Sequence, residues 1–157
     1  MIRHRPSPVR DPSARSRGQA LAEFALVFPI FLLILFSIID FGRYVYYVQI
    51  LNNAAREGAR YAIVHGSLGI PASGSPFAPG TSNSDPSGAN VKAVVRQNAI
   101  GVIGDTAVLR IDAVWDAHNG RGQKVRVTVE YDFDSIIPIV PIPPIEITGE
   151  STLVINN

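Results

Sequence analysis

Glu23 is the residue whose type and position most directly suggest chemistry, because its carboxylate interrupts a long apolar run. Gly18, the last small residue after an arginine-rich arm, precedes it by five positions. A cut between Gly18 and Gln19 would create an ammonium group one helical turn from Glu23. An unpaired ammonium is costly in a low-dielectric setting, and a carboxylate of the same or a neighbouring chain offsets that cost. The alternative is a carboxylate that simply reaches headgroup water.

Other polar residues give little sign of catalysis. Asp112, Asp116 and His118 could be imagined as a metal cluster, but they fall on the outward face and turn of a hairpin, where solvated residues are expected. His4 and His65 share no ligand spacing with His118. The sequence has no cysteine, phosphate-binding glycine loop or nucleophile elbow. We therefore expect no enzymatic activity, no metal and no cofactor.

The apolar run that contains Glu23 is long enough to cross a membrane. Sixteen residues from Phe24 to Ile39 carry no charge. With Gln19–Glu23 the run reaches 21 residues, or roughly 32 Å of helix. Pro29 is tolerable within it, as a kink. We predict a retained transmembrane helix over residues 19–41, because no small-x-small cleavage site follows the run.

Charge sets the predicted orientation of this helix. Residues 1–18 form a basic leader rich in arginine and proline, which places the N-terminus in the cytoplasm and everything after about Tyr44 on the far side. Asp40 and Arg43, spaced i,i+3, mark the membrane interface. They are interpreted as a snorkelling pair within an aromatic belt formed by Phe41, Tyr44, Tyr46 and Tyr47.

Beyond the membrane, apolar residues at intervals of three and four predict that the helix continues over residues 42–65. Ala54, Gly58 and Ala62 form a small-xxx-small row, a candidate helix-packing face. The row could pack on the chain's own sheet or on a helix of another subunit. Residues 66–90, rich in Gly, Pro and Ser, form either a flexible linker or an exposed surface loop.

Residues 91–157 are predicted to form an extracytoplasmic α+β domain. A short helix with Asn90 as its cap precedes strands at "VLRIDAVWDA", "KVRVTVEYDF" and "IEITGESTLVI", the last with a bulge near Gly149. "HNGRG" carries an Asn-Gly hairpin signal, and one register pairs Trp115 with Val125 and Arg110 with Glu130. The stretch "IIPIVPIPPI", residues 136–145, is either a loop over the core edge or an exposed apolar patch.

The predicted fold class is therefore α+β. The first half of a long N-terminal helix crosses the membrane, and its second half packs with a short helix on a small antiparallel sheet. The net charge of +1, without a basic stripe, argues against nucleic-acid binding.

The stretch "GQALAEF", with basic residues before it and an apolar helix after it, resembles a class III signal of the type IV pilin superfamily. Its Glu-Phe pair is close to the Glu-Tyr pair of the Flp/Tad branch. The continuation from about Arg17 to Ala62 resembles the N-terminal module of TadE-like proteins, the pseudopilins or minor pilins of tight-adherence pili. A looser likeness covers "VRVTVEYDFDSIIPIVP" and "ITGESTLVI".

The resemblance implies a pilin-like fold and a role in pilus assembly and adhesion. It also implies that prepilin peptidase cuts at Gly18–Gln19. The other implied partners are further pilins or pseudopilins through the N-terminal helix, an assembly platform with its ATPase, and the lipid bilayer. The alternative function is an uncleaved membrane anchor that presents a binding domain at the cell envelope.

Overall fold

The computed structural model describes residues 12–74, 85, 87–103, 108–136 and 143–156, without the side chains of 12–17 and 100–103. Its elements are, in chain order, helices α1 (Pro12–Val64) and α2 (Ala89–Ile103) and strands β1 (Leu109–Trp115), β2 (Lys124–Phe133) and β3 (Ile145–Val154). The strands form one antiparallel sheet in the order β1-β2-β3. The predicted α+β class is confirmed.

The chain divides into two compact units, Met1–Ile39 and Asp40–Asn157. In the first unit, no side chain from position 18 to position 39 is buried, although most of them are apolar. The second unit has a hydrophobic core formed by residues from both helices and all three strands. Predicted segments 42–65 and 91–157 therefore contribute to one compact body. Of the predicted 66–90 segment, residues 75–84 and 86 lie outside the described residues.

The buried face of α1 in the second unit is lined mainly by small residues from Ala54 onward, after the larger Ile50 and Leu51. Its fully or nearly fully buried side chains are Leu51, Ala54, Ala55, Ala59 and Ala62. They share one hydrophobic core with Val125, Val127 and Val129, which alternate along β2 and are completely buried. Small side chains on a helix let its backbone lie close to the surface it packs on. α1 therefore packs tightly over the central strand.

The register of the first hairpin agrees with the sequence prediction. Trp115 pairs with Val125 and Arg110 pairs with Glu130, as expected from matching polar faces. The connection between the strands is longer than a two-residue Asn-Gly turn. Its Asn119 is buried, and its Nδ2 donates to the carbonyl of Ser73 at 3.0 Å. The asparagine therefore ties the turn to another segment of the chain.

The predicted bulge near Gly149 is wrong, because β3 pairs with β2 in one unbroken register from Lys124–Val154 to Phe133–Ile145. Gly149 has a different role in the fold. A Cβ atom at this position would lie 2.4 Å from the carbonyl carbon of Leu51 and 2.7 Å from the amide nitrogen of Asn52. Glycine is required here because the backbone of α1 crosses the sheet at this point.

The start of α2 also differs from the prediction. Asp85, not Asn90, caps the helix: its Oδ1 accepts from the amide of Ala89 at 2.6 Å and its Oδ2 from that of Asn90 at 2.8 Å. One carboxylate thus satisfies two of the amides that have no partner within a helix. The cap was missed because Asp85 lies four residues before the helix, inside a segment rich in Gly, Pro and Ser.

We predict that Gly149→Ala destabilises the second unit by about 1–3 kcal/mol, the usual cost of overpacking a close contact. The free energy of unfolding can be measured by urea titration of the full chain in detergent micelles. The fluorescence of Trp115, the single tryptophan, follows the second unit.

Gly42→Ala is the matched control, because a Cβ atom there meets nothing within 4 Å. It is expected to leave stability unchanged or to raise it slightly through helix propensity. Equal stability of the Gly149→Ala protein and the wild type would contradict the close approach of α1.

Candidate functional site

Glu23 is accessible on the surface of α1. Its Oε1 lies 3.3 Å from Nε2 of Gln19, one turn earlier on the helix, and both side chains are exposed. Gly18 has no neighbour within 4 Å of an added Cβ atom. The predicted processing site and the predicted charge-pairing residue therefore lie together on one exposed stretch of helix.

The helix surface that follows Glu23 is apolar and unburied. Within residues 18–39 Glu23 is the only charged residue. The large exposed side chains of this stretch include Leu26, Ile30, Ile34 and Ile38. Gly18–Val64 is the one helix, in the described part of the chain, that is long and apolar enough to cross a membrane. This surface matches the interior of a bilayer, where apolar side chains need no protein partner.

Asp40 begins the second unit and is buried, with 7% of its surface exposed. Its Oδ1 accepts a hydrogen bond from Nη1 of Arg43 at 2.9 Å, which gives the predicted i,i+3 pair. Its Oδ2 accepts from Oγ of Ser135 at 2.6 Å and from the amide of Ile136 at 2.9 Å. Asp40 is therefore not a snorkelling residue. It fastens the segment after β2 to α1.

The guanidinium group of Arg43 lies over two aromatic rings, 5.0 Å from the ring centre of Phe133 and 5.7 Å from that of Tyr47. Tyr44 also packs edge-on against Phe133, at 5.9 Å between ring centres. Two aromatics of the predicted interfacial belt are thus directed towards the sheet, whereas Phe41 and Tyr46 are exposed. The division follows from helix geometry, because positions 44 and 47 share a face.

The small-residue row of Ala54, Gly58 and Ala62 lies in the core of its own unit. A Cβ atom on Gly58 would be 2.3 Å from Cγ2 of Val95 on α2 and 3.3 Å from Cγ1 of Val127 on β2. The row is therefore covered by the chain's own sheet and short helix. In this arrangement the row is not available for a contact with another subunit.

The residues considered as metal ligands are not gathered into a site. Nζ of Lys92 lies 3.8 Å from Oδ1 of Asp112, and Nδ1 of His118 accepts from the amide of Gly120 at 3.0 Å. Asp116 is exposed at the end of β1. In the residues described, no group of three or more His, Asp or Glu side chains could hold a metal ion.

A cluster of charges on the outer sheet face was only partly foreseen. Arg110 contacts Glu130 at 3.0 Å, as the register predicted, and also Asp132 at 2.7 Å and Glu146 at 2.9 Å. The hydrogen bonds from Arg110 hold the pKa of the Asp132 carboxyl below its ordinary value. All four side chains are partly exposed, so the cluster resembles a solvated ion-pair network more than a reactive centre.

Comparison with protein families gives one match, to the TadE-like protein family over residues 18–60. The predicted resemblance is therefore confirmed for this segment, while residues 61–157 lie outside the match. A search of the curated proteins and of the solved structures found no match. A TadE-like segment implies a protein associated with a Tad pilus, and the long apolar helix indicates a single membrane pass.

We predict that Asp40→Asn lowers the free energy of unfolding of the second unit by about 1–3 kcal/mol, because charge-assisted hydrogen bonds to a buried carboxylate are lost. The Trp115 fluorescence assay described above measures it.

The i,i+3 pair of Arg60 and Glu57 on the same helix provides the control, since both of its side chains are well exposed. Glu57→Gln is expected to change stability by less than about 1 kcal/mol. Equal effects of the two substitutions would show that Asp40 contributes no more than a surface ion pair does.

Proposed function

We propose that this chain is a membrane-anchored minor pilin, or pseudopilin, that acts in the assembly of a Tad-type pilus. The precursor lies in the cytoplasmic membrane with its N-terminus in the cytoplasm and its α+β unit outside. Prepilin peptidase removes the leader after Gly18. The assembly platform and its ATPase then draw the helix out of the lipid to pack against other pilins. The role is structural and not catalytic.

One observation carries this proposal: a single carboxylate on an otherwise uncharged, unburied stretch of helix, immediately beside the predicted cut. The TadE-like match begins at Gly18, the residue before that cut. A charge within the apolar layer costs up to about 2.5–3.5 kcal/mol at its centre and less near its ends. A permanent cost of this kind is consistent with a use for the charge.

The distance between Glu23 and Gln19 supports such a use. The carboxylate of Glu23 already reaches the side chain of Gln19 at 3.3 Å. A cut before Gln19 would add a positive charge to this same residue, within the same helical turn. In a bundle of apolar helices the effective dielectric constant is low, so an ammonium–carboxylate pair is stronger than in water. The pair can form within one chain or between neighbours, and in the second case it fixes the axial position of one helix against the next.

The contact between Gln19 and Glu23 also favours a second candidate function. In the uncut chain Glu23 has a hydrogen-bonding partner without any new ammonium group. An uncleaved TadE-like anchor, which presents its compact second unit at the cell envelope, would keep this contact permanently.

N-terminal sequencing of the protein isolated from membranes decides between the two. For a pseudopilin we expect a chain that starts at Gln19. Gly18→Leu is expected to abolish the cut while leaving the fold intact, since a Cβ atom added there meets nothing within 4 Å. Gly42→Leu, equally free of neighbours, is expected to be cut normally. An intact leader on the wild-type protein would reject the pseudopilin and favour the anchor.

The role of the charge is tested by Glu23→Gln, which keeps the size of the side chain and removes only its ionisation. We expect normal cleavage and the loss of most pili, counted by electron microscopy or by shearing and blotting. Glu57→Gln, which removes an exposed charge on the same helix, is expected to leave piliation unchanged. Normal piliation by a cleaved Glu23→Gln protein would refute charge pairing as the basis of assembly.

A further inference from the structure

The end of the second unit where Asp40 lies carries exposed apolar side chains from separate parts of the chain. Phe41, on α1, is 69% exposed. Ile136, after β2, is 50% exposed, and Ile145, at the start of β3, is 45% exposed. We call these three residues the footing. Scattered exposed apolar residues are common, but a set gathered at one end of a unit marks an interaction surface.

Hydrogen bonds and strand pairing hold the footing together. The amide of Ile136 donates to Oδ2 of Asp40 at 2.9 Å, so this residue sits beside the helix position that precedes Phe41. Ile145 pairs with Phe133, whose ring packs against Tyr44 one turn further along α1. The three side chains therefore lie within about two turns of the same point on the helix.

The continuity of the chain fixes what this end is near. Asp40 follows Ile39, the last residue of the uncharged apolar run, and adjacent Cα atoms are about 3.8 Å apart. If the run crosses a bilayer, the Asp40 end of the second unit must lie at the surface of that bilayer. The sequence between Ile136 and Ile145 consists only of Ile, Val and Pro, and positions 137–142 of it lie outside the described residues.

We propose that the footing rests in the lipid bilayer as a second membrane contact. The inference relies on the membrane anchoring in the proposed function but not on cleavage or pilus assembly. Lipid is the occupant that the position of Asp40 and the all-apolar sequence favour. The buried carboxylate of Asp40 has a clear part in this contact, because it holds the amide of Ile136 and satisfies a polar group that lipid could not.

Charged residues limit the depth of the contact. Asp134 and Glu146 bracket the apolar stretch in sequence, and both are exposed. Glu146 is also held on the outer sheet face by Arg110 at 2.9 Å. Charged groups are costly inside the hydrocarbon layer, so the footing enters only as far as the boundary between headgroups and acyl chains. The second unit therefore lies at the membrane surface, and its body remains outside the hydrocarbon layer.

The absence of cysteine allows a direct test with single-cysteine variants of the full chain. Ile136→Cys and Ile145→Cys are labelled with an environment-sensitive fluorophore and reconstituted in vesicles of phosphatidylethanolamine and phosphatidylglycerol. Part of the lipid carries a nitroxide just below the headgroup. Both probes are expected to shift to the blue and to lose most of their fluorescence to the nitroxide.

Val154→Cys is the matched control, because Val154 ends the same strand that Ile145 begins and is 44% exposed. Its probe is expected to keep the emission of an aqueous environment. Leu33→Cys, in the apolar run, tests the anchor itself, and its probe should be quenched by a nitroxide placed deeper in the acyl chain. Circular dichroism of each variant confirms folding.

The outcomes separate the two proposals. Ile136 and Ile145 probes that behave like the Val154 probe, while the Leu33 probe is quenched, overturn the footing and leave the membrane anchor standing. Probes at Ile136 and Ile145 are also expected to keep an aqueous emission if the footing contacts a pilin helix instead of lipid. The reason is that the vesicles contain no other protein that could cover the probes. An unquenched Leu33 probe overturns the anchor and the footing together.

Discussion

The second unit depends on one constraint. The helix α1 crosses the sheet so closely that no side chain fits between its backbone and that of β3. At the crossing, Gly149 faces the backbone of Leu51, and about one turn further on Ala55 is completely buried. Gly58 then meets Val95 of α2 where a methyl group would not fit. Close contact between backbones replaces large side chains in this part of the core, and it requires small residues at every third or fourth position of the helix.

The helix α1 has two chemically different parts, and only the second part is subject to this constraint. Up to Ile39 its side chains are large, apolar and unburied, as suits contact with lipid. From Asp40 onward its inner face is buried or half-buried, with large side chains such as Tyr44 and Leu51 first and mostly small ones from Ala54 onward. Its outer face carries polar residues such as Asn53, Arg56 and Arg60. The change occurs at a residue whose carboxylate is buried and fully engaged by Arg43, Ser135 and Ile136. Asp40 therefore lies where the surface of α1 changes from unburied and apolar to packed against the sheet.

Much of the fold could be predicted because it is written in local patterns. Alternation along β2 identified the strand and its buried face. The register considered from the sequence, with Trp115 opposite Val125 and Arg110 therefore opposite Glu130, is the one observed. The continuation of the helix to about position 65 followed from apolar residues at intervals of three and four, and α1 ends at Val64. These signals act over a few residues, so the sequence contains them directly.

The errors concern residues whose role is set by distant partners. Ser135 reaches Asp40 across 95 positions of sequence, and no local pattern announces that contact. Gly149 interrupts the alternation of β3, which resembles the signal of a bulge, but the reason for the glycine lies on α1. The small row of Ala54, Gly58 and Ala62 shows the same limit, since the pattern predicts close approach without saying what approaches.

The packing of the small-residue row limits how the chain can contact other helices. The small-residue row, a natural seam for helix pairing, is occupied by Val95 and Val127 of the same chain. Opening it would expose the core, including side chains of β2 that have no contact with water. Among the described residues, the stretch of α1 before Asp40 is where the helix has no buried side chain. This stretch is therefore the part of α1 whose whole circumference is open to another helix, and Glu23 is the only charged residue within positions 18–39.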